Sequence, residues 1–211
     1  MSSAIDFRDI IFDFDGTLAN TKKGVKNSVK FALKSIGIKK YKITNDVIGP
    51  TPFFVYKNMF GLDESMAKKA VFYHRKYSVE KAYRTARIYP GVKKTLIKLK
   101  KANVRLHIAS LKKESVIYKI LQKNRIMNYF DSIVGITDNE TATKTDLLNS
   151  FIKSNCITNR ALYVGDTNAD FLSSKEVGLE FCFAKYGFGQ LDSTPKYSIN
   201  HFSNILDILS F

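Results

Sequence analysis

The stretch DIIFDFDGTLANT, Asp9 to Thr21, ends an apolar run with two carboxylates, Asp13 and Asp15, and follows them at once with Gly16 and Thr17. In an extended backbone residues two apart point to the same side, so both carboxylates address one place. Three further apolar runs end in side chains of other chemistry. Ser110 closes VRLHIAS, Lys144 lies a few residues beyond SIVGI, and Gly165 with Asp166 close RALYVGD, with Asp170 four residues further on. Carboxylates attack, hold cations or move protons, and hydroxyl and ammonium groups bind anions, so the set is equipped for ligand chemistry.

Taken singly, each feature has a structural explanation. An Asp pair before Gly is common in turns, Ser110 before LKKES could cap a helix, Lys144 could be one of many surface lysines, and capping explains one of Asp166 and Asp170. Their order on successive strands favours the functional reading.

The elements that must position these residues are legible as patterns. Short apolar runs read as buried strands at 9–14, 104–110, 132–136, 160–166 and 180–184. Between them ESVIYKILQKN places Val116, Ile117, Ile120 and Leu121 on one side, and KTDLLNSFIKS does the same with Leu147, Leu148, Phe151 and Ile152. The alternation predicts an α/β fold, a doubly wound parallel sheet with helices on both faces. In such a sheet ligands bind outside the carboxyl ends of the strands, which is where the four polar endings fall. The rhythm breaks between Ala19 and Arg87, where helical patterns are expected at 21–36, 52–60 and 63–84. An inserted helical domain over 19–87 accounts for this, with residues 1–18 and 88–211 as the α/β core. Phe53, Phe54, Tyr56, Phe60, Phe72 and Tyr73 read as the core of that insertion rather than as a base-stacking platform.

At 211 residues and 45% hydrophobic content the chain can bury a real core. MSSAIDFRD lacks a basic leader and an apolar segment, and no run of eighteen apolar residues occurs, so a soluble cytoplasmic protein without a membrane span is expected. Cys156 and Cys182 have no metal-ligand spacing and read as reduced core residues. The net charge of +15 would attract nucleic acid or small anions. Yet in NTKKGVKNSVKFALKSIG the apolar Val25, Val29, Ala32 and Ile36 recur at helical spacing while lysines largely fill the other positions, as on a solvated helix face. No arginine-rich segment or nucleic-acid reading motif accompanies them. A basic, non-catalytic nucleic-acid-binding module is the alternative from another class; it leaves the acidic cluster unexplained.

Over essentially its whole length the chain resembles the haloacid dehalogenase-like hydrolase superfamily, in its phosphoglycolate-phosphatase-like branch and the neighbouring small 5′-nucleotidase-like phosphatases. The resemblance rests on Asp13 to Thr17, Ser110, Lys144 and Gly165 to Asp170, with VIGPTP and YPGV as further landmarks. Three departures are visible: Asn20 stands where Asp is usual, Thr145 and Asp146 follow Lys144 where prolines are frequent, and Ser174 replaces a common Ala.

The resemblance implies a Rossmann-like core with a helical cap, and a phosphomonoester hydrolase in which Asp13 attacks phosphorus and becomes an aspartyl phosphate. It implies Mg²⁺ held by Asp13, the backbone carbonyl of Asp15 and Asp166, a sparse oxygen set of the kind this ion accepts. Asp15 would protonate the leaving group and then take a proton from water. Ser110, placed just before a helix, and the amide of Leu111 would bind phosphoryl oxygens with Lys144. Thr17 and Asp170 would support the site from behind, Asp170 by orienting Lys144 or a metal-bound water. Arg75 in YHRKY is the candidate cap contact to substrate, against a plain surface ion pair. A sugar-phosphate mutase is the alternative within the superfamily; a dehalogenase is disfavoured because its chemistry has no use for the acid Asp15. Among small anionic phosphomonoesters, 2-phosphoglycolate, nucleoside monophosphates and sugar phosphates all remain open, as does the oligomeric state.

Overall fold

The computed structural model describes residues 7–137, 142–158 and 160–209; residues 1–6, part of the stretch read for a leader, lie outside them. Strand β1, Asp9–Phe12, is followed by β2, Ala19–Asn20, and helix α1, Lys22–Ser35. Helix α2, Pro52–Phe54, runs into a wider five-residue turn at Val55–Met59, and α3 spans Glu64–Glu80. After β3, Arg87–Ile88, come α4, Val92–Lys101, then β4, Arg105–Lys113, and α5, Glu114–Lys123. The rest is β5, Ser132–Ile136; α6, Lys144–Ser154; β6, Ala161–Gly165; α7, Asn168–Glu176; β7, Glu180–Ala184; and β8, Tyr197–Ile199.

The main sheet is six-stranded in the order β5-β4-β1-β6-β7-β8, and every pairing in it is parallel. Alternation along the strands decides which helices cover which face. Ile10, Phe12, Leu106, Ile108, Leu162 and Val164 join α4 and α5 in one apolar cluster. Ile11, Ala109 and Tyr163 join α6 and Phe171 of α7 in another, so the sheet is doubly wound as expected. Full burial of each large apolar side chain here contributes about 1.5–3 kcal/mol, and β1 is buried at every position. At the opposite end of the strands from the carboxylate pair, fully buried Asp9 is compensated by Arg105 and His107.

Between β2 and β3 the chain is helical and packs around its own cluster, which includes Val29, Leu33, Val55, Tyr56, Ala70 and Val71. β2 and β3 pair antiparallel, Ala19 with Ile88 and Asn20 with Arg87, tying together the two passes of the chain. On α1 the residues Val29, Ala32 and Leu33 are buried while Lys23, Lys30 and Lys34 are exposed, the solvated lysine face expected from the pattern. Among the described residues no helix is long and apolar enough to cross a membrane.

Several expectations need correction. β4 does not stop at Ser110: residues 110–113 stay extended through a register shift against β5, and α5 begins only at Glu114. Phe54 and Phe72 are 49% and 63% exposed, so they are not core, whereas Tyr56 is fully buried. Cys156 is exposed, at a left-handed turn after α6, while Cys182 is buried. β8 had no signature because YSI is short and half polar.

Candidate active site

The register of the sheet brings the site together. Phe12 lies level with Ile108 on β4 and Val164 on β6, so Asp13, Ser110 and Asp166 emerge within about two residues of the same height. The Asp13 amide donates to Val164 O at 2.9 Å, extending the ladder one step beyond β1. The chain then turns back, with Gly16 N–H bonding Ala19 O at 2.9 Å and Gly16 at φ 88°, a left-handed conformation that favours glycine.

Lys144, the first residue of α6, is 9% exposed and points its ammonium at Asp13 Oδ1, Asp170 Oδ1 at 3.0 Å and the Tyr163 hydroxyl at 3.2 Å. Its helix is capped by Thr143, whose hydroxyl accepts from the Asp146 N–H while Asp146 accepts from the Thr143 N–H. The departures from the family pattern therefore have local work. Asp146 completes this cap, Thr145 bonds Ser173 and Glu176 on α7, Ser174 bonds Phe171 O, and Asn20 accepts from the Lys22 amide at the start of α1.

Asp170 has both oxygens occupied. Oδ1 accepts from Tyr163 and Lys144, and Oδ2 from the Thr167 hydroxyl and amide. Burial would push its carboxyl up, but Lys144, Thr167 and Tyr163 outweigh that and hold it below the usual range. Asp13 is pushed by burial up to about 6; Lys144 pulls against this, and the charges of Asp170 and Asp15 add to it. Asp166 is raised as well, by burial and then by Asp170 and Asp13. Lys144 stays charged because Asp13 and Asp170 outweigh its own burial.

Ligand oxygens of Asp13, Asp166 and Asp170 lie within 4.8 Å of one another, all three side chains buried, with one ammonium among them. Three buried carboxylates face one ammonium here, and the donors are all hard oxygen, which suits Mg²⁺. Asp170 is spoken for by its four hydrogen bonds, so Asp13 and Asp166 are the carboxylates available to an ion. Asp166 sits in a cradle of glycine: a Cβ on Gly16 would lie 2.0 Å from its Oδ2, and one on Gly187 2.2 Å from its Cβ. The Phe188 amide donates to Asp166 Oδ2 at 2.7 Å, and buried Thr17 reaches Oδ1 at 3.4 Å.

The expectation that Ser110 stands directly before a helix is corrected by the geometry, since α5 begins only at Glu114 and its free N–H groups lie beyond Lys113. Ser110 is 2% exposed, and both residues nevertheless line the cleft beside Asp13. Arg75 lines the same cleft and donates to Thr137 O at 2.7 Å, joining α3 to the segment after β5. Two participants were not singled out from the sequence. Lys112 forms an ion pair with Asp15 Oδ2 at 2.9 Å, and Tyr163 bridges Lys144 and Asp170. Both had a signal: Lys112 lies two residues beyond Ser110, and Tyr163 puts a hydroxyl in a strand otherwise apolar before Asp166.

Two spaces meet at Asp13. A cleft of about 70 Å³ between α1, α3 and the end of β4 contains Asp13, Asp15, Thr21, His74 and Lys112. A wider groove of about 800 Å³ runs past Phe53, Phe54 and Lys57 on one wall and Thr143, Lys144 and Phe188 on the other.

A doubly wound α/β sheet with an acidic cluster and a buried lysine at its carboxyl edge defines a class of ligand-processing α/β proteins. Within that class the chain belongs to the haloacid dehalogenase-like hydrolase family, whose sequence model matches residues 10–184. It is 28% identical over 208 residues to phosphoglycolate phosphatase of Aquifex aeolicus, covering 96% of each chain. It is 29% identical over 193 residues to tyrosine-protein kinase PtkA of Mycobacterium tuberculosis, covering 90% of this chain but 66% of that protein's length. Among solved structures, that of a predicted phosphatase from Clostridium acetobutylicum aligns with a TM-score of 0.88 at 27% identity, over 96% of this chain and 99% of that one.

Proposed function

We propose that this protein is a Mg²⁺-dependent phosphomonoester hydrolase acting on a small phosphorylated metabolite through an aspartyl phosphate on Asp13. The observation that carries the reading is the buried Asp13 carboxylate at the end of β1, paired with Lys144, with Asp15 facing the same cleft. Relatives described as phosphatases support it.

In the first step a carboxylate oxygen of Asp13 attacks phosphorus and the bond to the alcohol oxygen breaks, while Asp15 delivers a proton to that oxygen. In the second, water attacks phosphorus, the bond to Asp13 breaks, and Asp15 takes the proton. Lys144 neutralises phosphoryl charge and is aimed by Asp170 and Tyr163. The Ser110 hydroxyl and the Leu111 amide bind phosphoryl oxygens. Asp13, the Asp15 carbonyl and Asp166 would hold Mg²⁺, which when bound supplies charge neutralisation to the phosphoryl oxygens. The helical segment 19–87 acts as a cap over the core formed by 1–18 and 88–211; closing it excludes water, and Arg75 spans the two.

The test is phosphate release from a panel of monoesters with Mg²⁺ and again with EDTA. Hydrolysis of p-nitrophenyl phosphate is expected to require Mg²⁺ and to vanish in Asp13→Asn, which keeps shape and removes the nucleophile. Wild-type activity in that variant would refute the mechanism.

A further inference from the structure

His74 stands one residue before Arg75 on α3, and what it can do is decided by Tyr56, 18 residues earlier in the wider turn before that helix. The Tyr56 side chain is fully buried, and its hydroxyl lies 2.9 Å from His74 Nδ1. Among the described residues that nitrogen is the hydroxyl's only partner. A buried O–H must donate somewhere, and burial keeps this phenol protonated far above neutral pH. Its proton therefore points at Nδ1. Because Nδ1 accepts, the hydrogen of the neutral ring sits on Nε2.

Burial, with Lys112 and Arg75 adding to it, drives His74 down to about 3, so the ring is neutral across working pH. It offers a directed donor rather than a charge. The bond to Tyr56 is the ring's only one among the described residues, which leaves Nε2–H for the cleft that His74 lines with Asp13 and Asp15. Thr21 Oγ1, in the same cleft, is buried without a partner and makes no capping bond at the start of α1. Both groups come from the helical insertion, and neither is completed by the protein itself. Cations are already supplied by Arg75, Lys112 and Lys113; what His74 adds is neutral. A cleft of about 70 Å³ has room for only a few groups at roughly 10–15 Å³ each. An alcohol that fills it therefore reaches its walls.

Resting on the phosphatase reading, we infer that His74 is a specificity-determining residue whose tautomer is set by Tyr56, and that it gives its Nε2 hydrogen to an acceptor oxygen carried by the leaving alcohol. An alcohol without that oxygen strips water from a buried N–H and leaves it unpaired, which is how a small cleft discriminates most strongly. Tyr56 touches no substrate. It is a positioning residue, acting through the ring it orients.

The experiment has two arms. Long-range ¹H–¹⁵N correlation spectra of the imidazoles at pH 7, with no substrate present, report which ring nitrogen carries hydrogen. Wild-type His74 is expected as the Nε2–H tautomer, and in Tyr56→Phe the Nδ1–H form should become populated. An Nδ1–H tautomer or an imidazolium in the wild type overturns the inference before any assay. The kinetic arm measures kcat/KM with Mg²⁺ on 2-hydroxyethyl and 3-hydroxypropyl phosphate, on propyl and butyl phosphate, in which a methyl group replaces the terminal hydroxyl, and on p-nitrophenyl phosphate. The better hydroxyalkyl ester should exceed its methyl counterpart by about 10- to 100-fold. In Tyr56→Phe/His74→Leu, which removes both partners and leaves no orphaned group, that ratio should fall to within about twofold of one. If the pair only packs the insertion, every ester slows by one common factor and the ratio stays, which overturns the inference; a wild-type ratio near one does the same without any variant. Mg²⁺-dependent turnover of p-nitrophenyl phosphate beside either result leaves the phosphatase standing, whereas no Mg²⁺-dependent release from any ester removes both.

Discussion

Replacing Lys144 by Met keeps most of the stem and deletes the one ammonium inside the acidic cluster. In the native protein that group touches Asp13, Asp170 and the Tyr163 hydroxyl while 9% exposed. Its removal leaves carboxylates in a buried place without a counter-charge, which costs about 3–5 kcal/mol. For a chain of this size each kcal/mol moves Tm by about 2–4 °C, so metal-free Lys144→Met should melt roughly 6–20 °C below wild type at pH 8. The pH dependence has a definite sign. Asp13 already sits at about 6 against an ordinary 3.8, and without Lys144 it moves higher. A carboxyl raised in the folded state is most stabilising when protonated, and that contribution is lost as pH rises through the folded value. The deficit of the variant should therefore shrink between pH 8 and pH 5, and adding Asp13→Asn should recover part of it at pH 8. The assay is thermal unfolding by circular dichroism in EDTA at both pH values. A shift under about 2 °C at pH 8, or an equal shift at both pH values, would refute the charge-compensation argument.

Asp15→Asn should slow esters with poor leaving groups by about 10²–10⁴ while p-nitrophenyl phosphate loses far less, because only the former need protonation; equal losses in steady-state rates would make Asp15 structural. Gly16→Ala forces a Cβ to within 2.0 Å of Asp166 Oδ2 at φ 88°, so phosphatase activity should collapse and stability fall by about 1–2 kcal/mol from the backbone alone; wild-type kinetics in this variant would contradict the cradle. His74 is held neutral, at about 3 against 6.5, so the unfolded chain takes up the proton first and stability is lost as pH falls through 6.5. Between pH 8 and pH 5 this amounts to about 2 kcal/mol; urea unfolding of His74→Gln should show a correspondingly flatter pH profile, and an unchanged profile would show that His74 does not titrate this way. Finally, Ca²⁺ should inhibit while Mg²⁺ supports turnover, since it accepts more ligands at longer distances and pulls Asp13 out of line. Raising salt should lower the rate only modestly; steep salt-dependent oligonucleotide binding with no response to exchanging the two ions would favour the nucleic-acid module instead.

The sequence alone determined the strands β1, β4, β5, β6 and β7, the helical insertion, and which residue types gather at the strand ends, but not the short pair β2 and β3. These depend on short-range periodicity, which burial on one or both faces imposes directly on the chain: Ile10 to Phe12 and Ala161 to Val164 are apolar because both faces of their sheet are covered. Asp13, Asp15 and Asp166 were legible for the same reason, as charges that no buried strand end tolerates without a purpose. Tertiary structure decided the pairings. That Asp170 spends both oxygens on Lys144, Tyr163 and Thr167 depends on groups up to 26 residues away, and that Lys112 reaches Asp15 depends on one 97 residues away. The extended course of residues 110–113, read from sequence as the start of a helix, is likewise set by pairing with β5 rather than by the local SLKKES. Phe54 and Phe72 looked like core because an aromatic residue carries no mark of which side of a helix will find a neighbour. Local pattern reports burial where apolar residues recur at strand or helix spacing; only the folded arrangement, with its long-range contacts and their geometry, supplies the partner.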